Sequence, residues 1–335
     1  MRVTYYQRRQ QLANFSIERI FSDMRRALPD YIYTKIAVSR FPSRGFWRRG
    51  YNVFEAAFRQ GDVNHITGDV HYLAFFLKKR RTLLTVHDLI SIHRLRGIRR
   101  AFFLFFWYWL PIKRVSLVTV ISESTKNELL RHIKIDPRKI RVIYDCVSED
   151  YQSSNKDFNT AKPLIIQIGT GYNKNLCRVA EALYDIPCHL RIIGMPNVHQ
   201  QEVLRKYYIE YSFIANITDA QVVEEYRVSD MLVFASTYEG FGLPIIEAQA
   251  TGRPVITSNI MAMPEAAGDG ACLVDPFDTM SIREGVLRII EDKQYREELV
   301  RRGLENVKRF RPHRIATEYF SIYQEIYKKH FTADT

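Results

Sequence analysis

The 335 residues are 46% hydrophobic, too long for one ordinary domain and enough for two cores of roughly 150 residues each. Cys146, Cys177, Cys188 and Cys272 stand apart, with no C-x-x-C pair and no histidines at metal spacing, so neither a disulfide framework nor a zinc site is expected and a reducing cytosol suits the chain. The net charge of +12 is lopsided: residues 1–150 hold 28 Lys and Arg against 13 Asp and Glu, net +15, which leaves 21 against 24, net −3, for the remainder. A basic half attracts nucleic acid, anionic headgroups or a phosphorylated substrate, and charge alone does not choose among them.

The N-terminus runs from Met-Arg-Val-Thr-Tyr-Tyr into Gln7, Arg8, Arg9 and Gln10 with no apolar signal region, so the mature protein is expected to begin at Met1. Short apolar runs predict strands at 3–6, 32–38, 63–66, 83–86, 117–121 and 140–143. Between the fourth and fifth lies Ala-Phe-Phe-Leu-Phe-Phe-Trp-Tyr-Trp-Leu, residues 101–110, bracketed by Arg99, Arg100, Lys113 and Arg114. That run is too short to span a bilayer. It suits either a core helix or the headgroup boundary of a membrane. The polar, aperiodic stretch 149–162 predicts a linker, dividing the chain into a domain over 1–150 and another over 151–312. From Pro163 onward, strands at 164–169, 190–194, 211–214, 231–235, 254–257 and 272–274 alternate with helices near 175–185, 198–208, 219–229, 244–251 and 279–292. This is the pattern of a doubly wound parallel sheet. An amphipathic helix at 313–330, with Tyr319, Phe320, Tyr323 and Tyr327 near one face, ends the chain within residues 313–335.

Residues 236–248, Ser-Thr-Tyr-Glu-Gly-Phe-Gly-Leu-Pro-Ile-Ile-Glu-Ala, follow a strand and open a helix. Pro244 suits a first helical turn, and Gly240 and Gly242 let backbone approach a ligand. The amides of Gly242 and Leu243, with the helix dipole behind them, would hold a diphosphate. Glu239 and Glu247 would accept hydrogen bonds from sugar or ribose hydroxyls beyond the carboxyl ends of the strands. The bland alternative is a strand-to-helix turn with two solvated glutamates. A second block, Gly169, Thr170, Gly171 and Lys174, also follows a strand; the glycines permit a tight turn, and the lysine offers charge to a diphosphate leaving group. His87 and Asp88 end a buried strand, where a lone histidine is more often structural. Arg8 and Arg9 would point at a ligand-binding crevice, or form a solvated basic loop, and Asn14 or Ser16 would cap the following helix.

Glu239-Gly-Phe-Gly-Leu-Pro-Ile-Ile-Glu247 resembles the E-x7-E signature of glycosyltransferase family 4, and the likeness extends through 223–230, 250–257, 263–271 and Asp275-Pro276. The resemblance implies an α/β GT-B fold: two Rossmann-like domains facing a central cleft, with the C-terminal helix crossing back to the first. It implies that Glu247 binds the donor ribose, that Glu239 contacts the donor hexose near the reaction centre, and that His87 reaches the sugar from across the cleft. Phe241 joins the glycine loop, with Leu243, among the donor-binding residues. Lys174 matches the family's phosphate-binding lysine, but Thr170 stands where an arginine is usual. The N-terminal loop lacks the usual glycine pair, placing Arg8, Arg9 and Asn14 on the acceptor side; 66–69 and 119–126 are also similar to loops there.

The resemblance therefore implies a retaining, metal-independent hexosyltransferase of polysaccharide biosynthesis. It would move glucose or mannose from a UDP- or GDP-sugar, such as UDP-glucose or GDP-mannose, to a polysaccharide or lipid-linked glycan. No cofactor is expected, and no D-x-D motif offers metal ligands. The expected location is cytoplasmic, with peripheral contact at the inner membrane face through the basic half. The alternatives are an epimerase or phosphorylase on the same scaffold, a nucleic-acid-binding protein, which is disfavoured because no reading motif accompanies the charge, and a silent partner subunit, kept open by Thr170.

Overall fold

The computed structural model describes residues 1–9 and 16–331. Asn14 lies outside them. The chain divides into two compact units, Met1–Cys146 with Pro312–Thr335, and Val147–Arg311.

The first unit is built on six parallel strands, β1 (Arg2–Gln7), β2 (Tyr33–Val38), β3 (Val63–Ile66), β4 (Thr82–Val86), β5 (Leu117–Val120) and β6 (Ile140–Val142), in the order β2-β1-β3-β4-β5-β6. Every residue of β3, β4 and β5 is buried. Helices cover both faces of such a sheet, which is why β4 and β5 are apolar or hydroxyl-bearing throughout, and why the two polar residues of β3, Asn64 and His65, are buried with hydrogen-bond partners. β2, at the edge, leaves Tyr33, Ile36 and Val38 exposed. The last helix, Pro312–Phe331, returns to this unit and buries Ile315, Tyr319, Ile322, Tyr323 and Ile326; Phe320 and Tyr327 lie off that face. Beneath it, His65 bonds through Nδ1 to the Tyr323 hydroxyl at 2.8 Å and through Nε2 to Thr85 Oγ1 at 2.7 Å. Complete burial holds the His65 pKa well below its ordinary range.

The aromatic run at 101–110 is neither wholly core nor wholly surface. The helix Gly97–Phe103 widens into a π-helical turn, Leu104–Trp109, before Leu110–Lys113. The wider turn spreads the bulky rings. Tyr108 is buried and Phe103, Trp107 and Trp109 pack on the core, while Phe102, Phe105 and Phe106 are exposed. No described helix is long and apolar enough to cross a membrane.

The second unit repeats the plan with β7 (Leu164–Ile168), β8 (His189–Ile193), β9 (Tyr211–Ile214), β10 (Met231–Phe234), β11 (Val255–Ser258) and β12 (Cys272–Val274), all parallel, in the order β12-β11-β10-β7-β8-β9. Strand order reverses between β7 and β10, and open α/β sheets bind ligands outside the carboxyl ends at such a reversal. The stretch 149–162, expected as a linker, has no regular structure but lies along this unit. Asp230 accepts from the Asn159 and Leu164 amides, at 3.2 and 2.7 Å, and pairs with Lys156; Arg253 donates to the Ser154 carbonyl at 2.6 Å.

Candidate active site

Two loops meet at the β7–β10 reversal. After β7 the backbone turns at Gly169, with φ +85°, and a Cβ there would lie 3.1 Å from Lys174 Cε. This left-handed turn and close approach favour glycine. A short 3-10 turn, Tyr172–Lys174, leads to Asn175, itself left-handed at φ +60°. Its amide nitrogen donates to the Ala235 and Pro276 carbonyls at 2.9 and 2.7 Å, anchoring the first loop to the end of β10. Asn173 Nδ2 donates to the Tyr238 carbonyl at 2.9 Å and to Glu239 Oε1 at 3.2 Å, while the Thr237 amide donates to the Asn173 carbonyl at 2.8 Å. Stitched in this way, the loops bring Lys174 Nζ within 2.7 Å of Glu239 Oε1 and 4.6 Å of the Phe234 ring centroid. Both charged side chains are only partly exposed.

The second loop ends at Gly242, φ +116°, where the helix Leu243–Ala250 begins with Pro244 in its first turn. First-turn amides of a helix have no acceptor within it, so they and the dipole suit an anion. Phe241 is buried edge-on against Phe310 and sets the entry to the helix. One turn in, Glu247 accepts a hydrogen bond from the Tyr226 hydroxyl at 2.9 Å. Tyr226 is fully buried, and burial, reinforced by the Glu247 charge, holds the phenol pKa well above its ordinary value. It therefore stays a donor across the working range of pH.

Thr170, at the expected arginine position, serves a different purpose. Its hydroxyl donates to the Met195 carbonyl at 3.0 Å, and its own carbonyl accepts from Gln200 at 2.8 Å, so it fastens the glycine loop to the turn after β8. The structure thus brings Gly169, Thr170, Gly171, Lys174, Glu239, Gly240, Phe241, Gly242, Leu243 and Glu247 onto two joined loops and one helix start. Tyr226, Asn173 and Asn175 escaped sequence reasoning; the asparagines lie inside the second block, while nothing local singles out Tyr226.

His87, Arg8 and Arg9 belong to the first unit. His87 directly follows β4, and its Nε2 lies 2.8 Å from the Thr67 carbonyl, which can only accept, so Nε2 carries the proton. Asp145 is buried in the same unit; burial pushes its carboxyl up to about 6, against an opposing pull from His87. Arg8 Nε pairs with Glu18 at 3.1 Å and Arg9 donates to the Arg40 carbonyl at 2.9 Å. Among the described residues no group of three or more His, Cys, Asp or Glu side chains is placed to hold a metal ion.

The family profile described as Glycosyl transferases group 1 matches residues 149–306, and that described as Glycosyltransferase Family 4 matches residues 17–151. The chain belongs to glycosyltransferase family 4. This family-4 chain is 34% identical over 112 residues to O-antigen chain mannosyltransferase B of Escherichia coli, covering 33% of the chain and 29% of that protein. It is 24% identical to N-acetyl-alpha-D-glucosaminyl L-malate synthase of Bacillus anthracis over 64% of the chain and 61% of the relative. To O-antigen chain mannosyltransferase RfbU of Salmonella typhimurium it is 26% identical over 63% and 61%. The matched stretches thus span less than two thirds of these relatives. In fold it is similar to sucrose-phosphate synthase from Thermosynechococcus elongatus, with TM-score 0.80, 16% identity and coverage of 98% and 99%. Anabaena HepE, solved with UDP and glucose, gives 0.75 at 15% identity and coverage of 97% and 100%. The fold is that of the GT-B enzymes.

Proposed function

We propose that the chain is a retaining hexosyltransferase that takes its hexose from a nucleoside diphosphate sugar without a metal. The observation that carries this is the Lys174–Glu239 ion pair, at 2.7 Å, set between two glycine loops and beside a helix N-terminus at the sheet's reversal point. In this reading the diphosphate lies on the Gly242 and Leu243 amides, with Lys174 stabilising the charge that grows as the bond to the anomeric carbon breaks. Glu247, aimed by Tyr226, accepts from the ribose hydroxyls. Glu239, restrained by Lys174 and Asn173, lines the hexose pocket, and His87 serves the sugar from the first unit. The acceptor oxygen forms the new bond on the face the phosphate leaves, and its proton passes to a departing phosphate oxygen.

The mannosyltransferase relatives favour GDP-mannose over UDP-glucose, and a growing polysaccharide or lipid-linked glycan as acceptor. Such an acceptor and the basic N-terminal half fit work at the inner membrane face. Thr170, by taking the place of a second cation, favours one other reading, a partner subunit that binds donor without turning it over. Calorimetric titration with GDP, UDP, GDP-mannose and UDP-glucose tests the site. Binding of one nucleoside diphosphate that Glu247→Ala weakens by about tenfold or more supports the ribose role. Equal affinity in the variant contradicts it.

A further inference from the structure

A helix on a parallel sheet ordinarily turns its large apolar side chains inward, and the Phe46–Ala57 helix does the reverse. Its buried residues are Asn52, Val53 and Ala56, with Asn52 donating to the Phe41 carbonyl at 2.8 Å. Its outward face presents Trp47, 86% exposed, then Tyr51, Phe54 and, just beyond the last turn, Phe58, 75% exposed. The spacing of four, three and four residues keeps these rings on one stripe. Phe54 and Phe58 pair at 4.9 Å between centroids, and Phe46, 83% exposed, packs against Trp47 at the start of the helix. Single exposed apolar residues are ordinary, but a contiguous stripe marks a surface that meets something.

The charge around the stripe indicates what it meets. Residues 40–59 carry five arginines and one glutamate, net +4, and residues 89–114 carry six basic residues and no acidic one, so these two stretches supply +10 of the +15 of the N-terminal half. Arg49 joins them, its guanidinium lying 4.9 Å from the centroid of the Trp107 ring. The segment 39–45 leaves the carboxyl end of β2, the same end of the parallel sheet at which β4 delivers His87. Aromatic rings among arginines and almost no carboxylates suit an anionic lipid surface, where rings occupy the headgroup boundary and arginines meet phosphates.

We propose that the outward face of the Phe46–Ala57 helix docks this protein on an anionic bilayer, with Trp47, Tyr51, Phe54 and Phe58 entering the headgroup boundary and Arg44 and Arg48 facing lipid phosphates. The proposal rests on the membrane-borne acceptor of the preceding reading and assigns the contact to this helix rather than to the 101–110 run. The test is sedimentation of the full chain with phosphatidylcholine vesicles, with and without phosphatidylglycerol, alongside Trp47 emission in a Trp107→Phe, Trp109→Phe background. The wild type should pellet on the anionic vesicles, release in salt and show a blue shift of Trp47. A folded Trp47→Ser, Phe54→Ser, Phe58→Ser variant should bind at least about tenfold more weakly, and Phe102→Ser, Phe106→Ser far less so. If the triple variant binds as well as the wild type, this helix is not the docking surface although the membrane reading stands. If the wild type stays in the supernatant on anionic vesicles at low salt, both fall. Self-association through this face, lost in the triple variant without any vesicle binding, would make the occupant a second copy and overturn the proposal.

Discussion

Tyr226→Phe removes one oxygen and little else. The ring is fully buried, with Tyr151 edge-on at 5.7 Å between centroids, so phenylalanine fills the same space. What is lost is the 2.9 Å bond to Glu247 Oε2 and a weaker 3.4 Å contact with the Pro244 carbonyl. A hydrogen bond to a charged acceptor contributes about 1.5–3 kcal/mol when the acceptor is left unsatisfied. Glu247 is partly exposed, so water replaces some of that and the lower end applies, about 1.5 kcal/mol; a carboxylate no longer held toward the ribose forfeits a charge-assisted bond of about the same size, roughly tenfold in nucleotide Kd. The bond exists before any nucleotide binds, so stability should fall too, by about 1–1.5 kcal/mol, while the apolar ring still packs and the fold is kept. Calorimetry with the preferred nucleoside diphosphate measures the affinity, and thermal melting checks the fold. In a Glu247→Gln background the second substitution should cost much less, since the charged acceptor is already gone. Undiminished affinity in Tyr226→Phe, or the same penalty with and without Glu247, would refute the claim that the tyrosine acts by aiming that carboxylate.

Lys174→Ala should lower kcat by about 100-fold or more while melting nearly as the wild type does, because the ammonium matters most as the diphosphate departs; full activity would assign that charge to another group. Turnover should persist in excess EDTA, and loss restored by magnesium or manganese would contradict the metal-free reading. Asp145 predicts a pH effect on stability. Its folded carboxyl, at about 6 against an ordinary 3.8, binds its proton more tightly than the unfolded one, so the stability it contributes is present below about pH 4 and lost as pH rises through about 6. A separation of a little over two in pKa amounts to about 3 kcal/mol. Asp145→Asn should therefore match the wild type near pH 4 and exceed it by up to that amount near pH 8. Urea denaturation followed by tryptophan emission reports it, because Trp47, Trp107 and Trp109 all lie in the first unit; parallel pH profiles would contradict the buried-acid account.

Among the described residues the twelve strands were legible because a parallel sheet covered by helices demands short, mainly apolar runs, and each predicted strand lies within one residue of the observed one at either end. The helix Lys293–Val307 was not, since its charges are dense and one of them turns inward: Arg296 lies over the Phe158 ring at 4.2 Å and donates to the Ile289 carbonyl. The π-helical turn at Leu104–Trp109 has no sequence signal beyond its crowd of rings. In the candidate site, glycine spacing and the two glutamates exposed the loop and the helix start, because backbone needs write themselves into glycine and proline. Tyr226 was invisible, for it meets Glu247 from 21 residues away and only through the packing of its helix. Thr170 could be seen as a departure from the family, but its bond to the Met195 carbonyl belongs to tertiary structure.

If the Lys174–Glu239 pair and the helix start beside it turn over a nucleotide sugar, the reaction itself is the most direct readout. Release of nucleoside diphosphate should be measured from GDP-mannose, UDP-glucose and related donors, with and without glycan acceptor, for the wild type and for folded Lys174→Ala and Glu239→Gln variants. Turnover of one donor class is expected, faster with acceptor and lost in both variants. Binding of a nucleotide with no turnover of any donor under any acceptor condition, or turnover unaffected by both substitutions, would contradict this assignment.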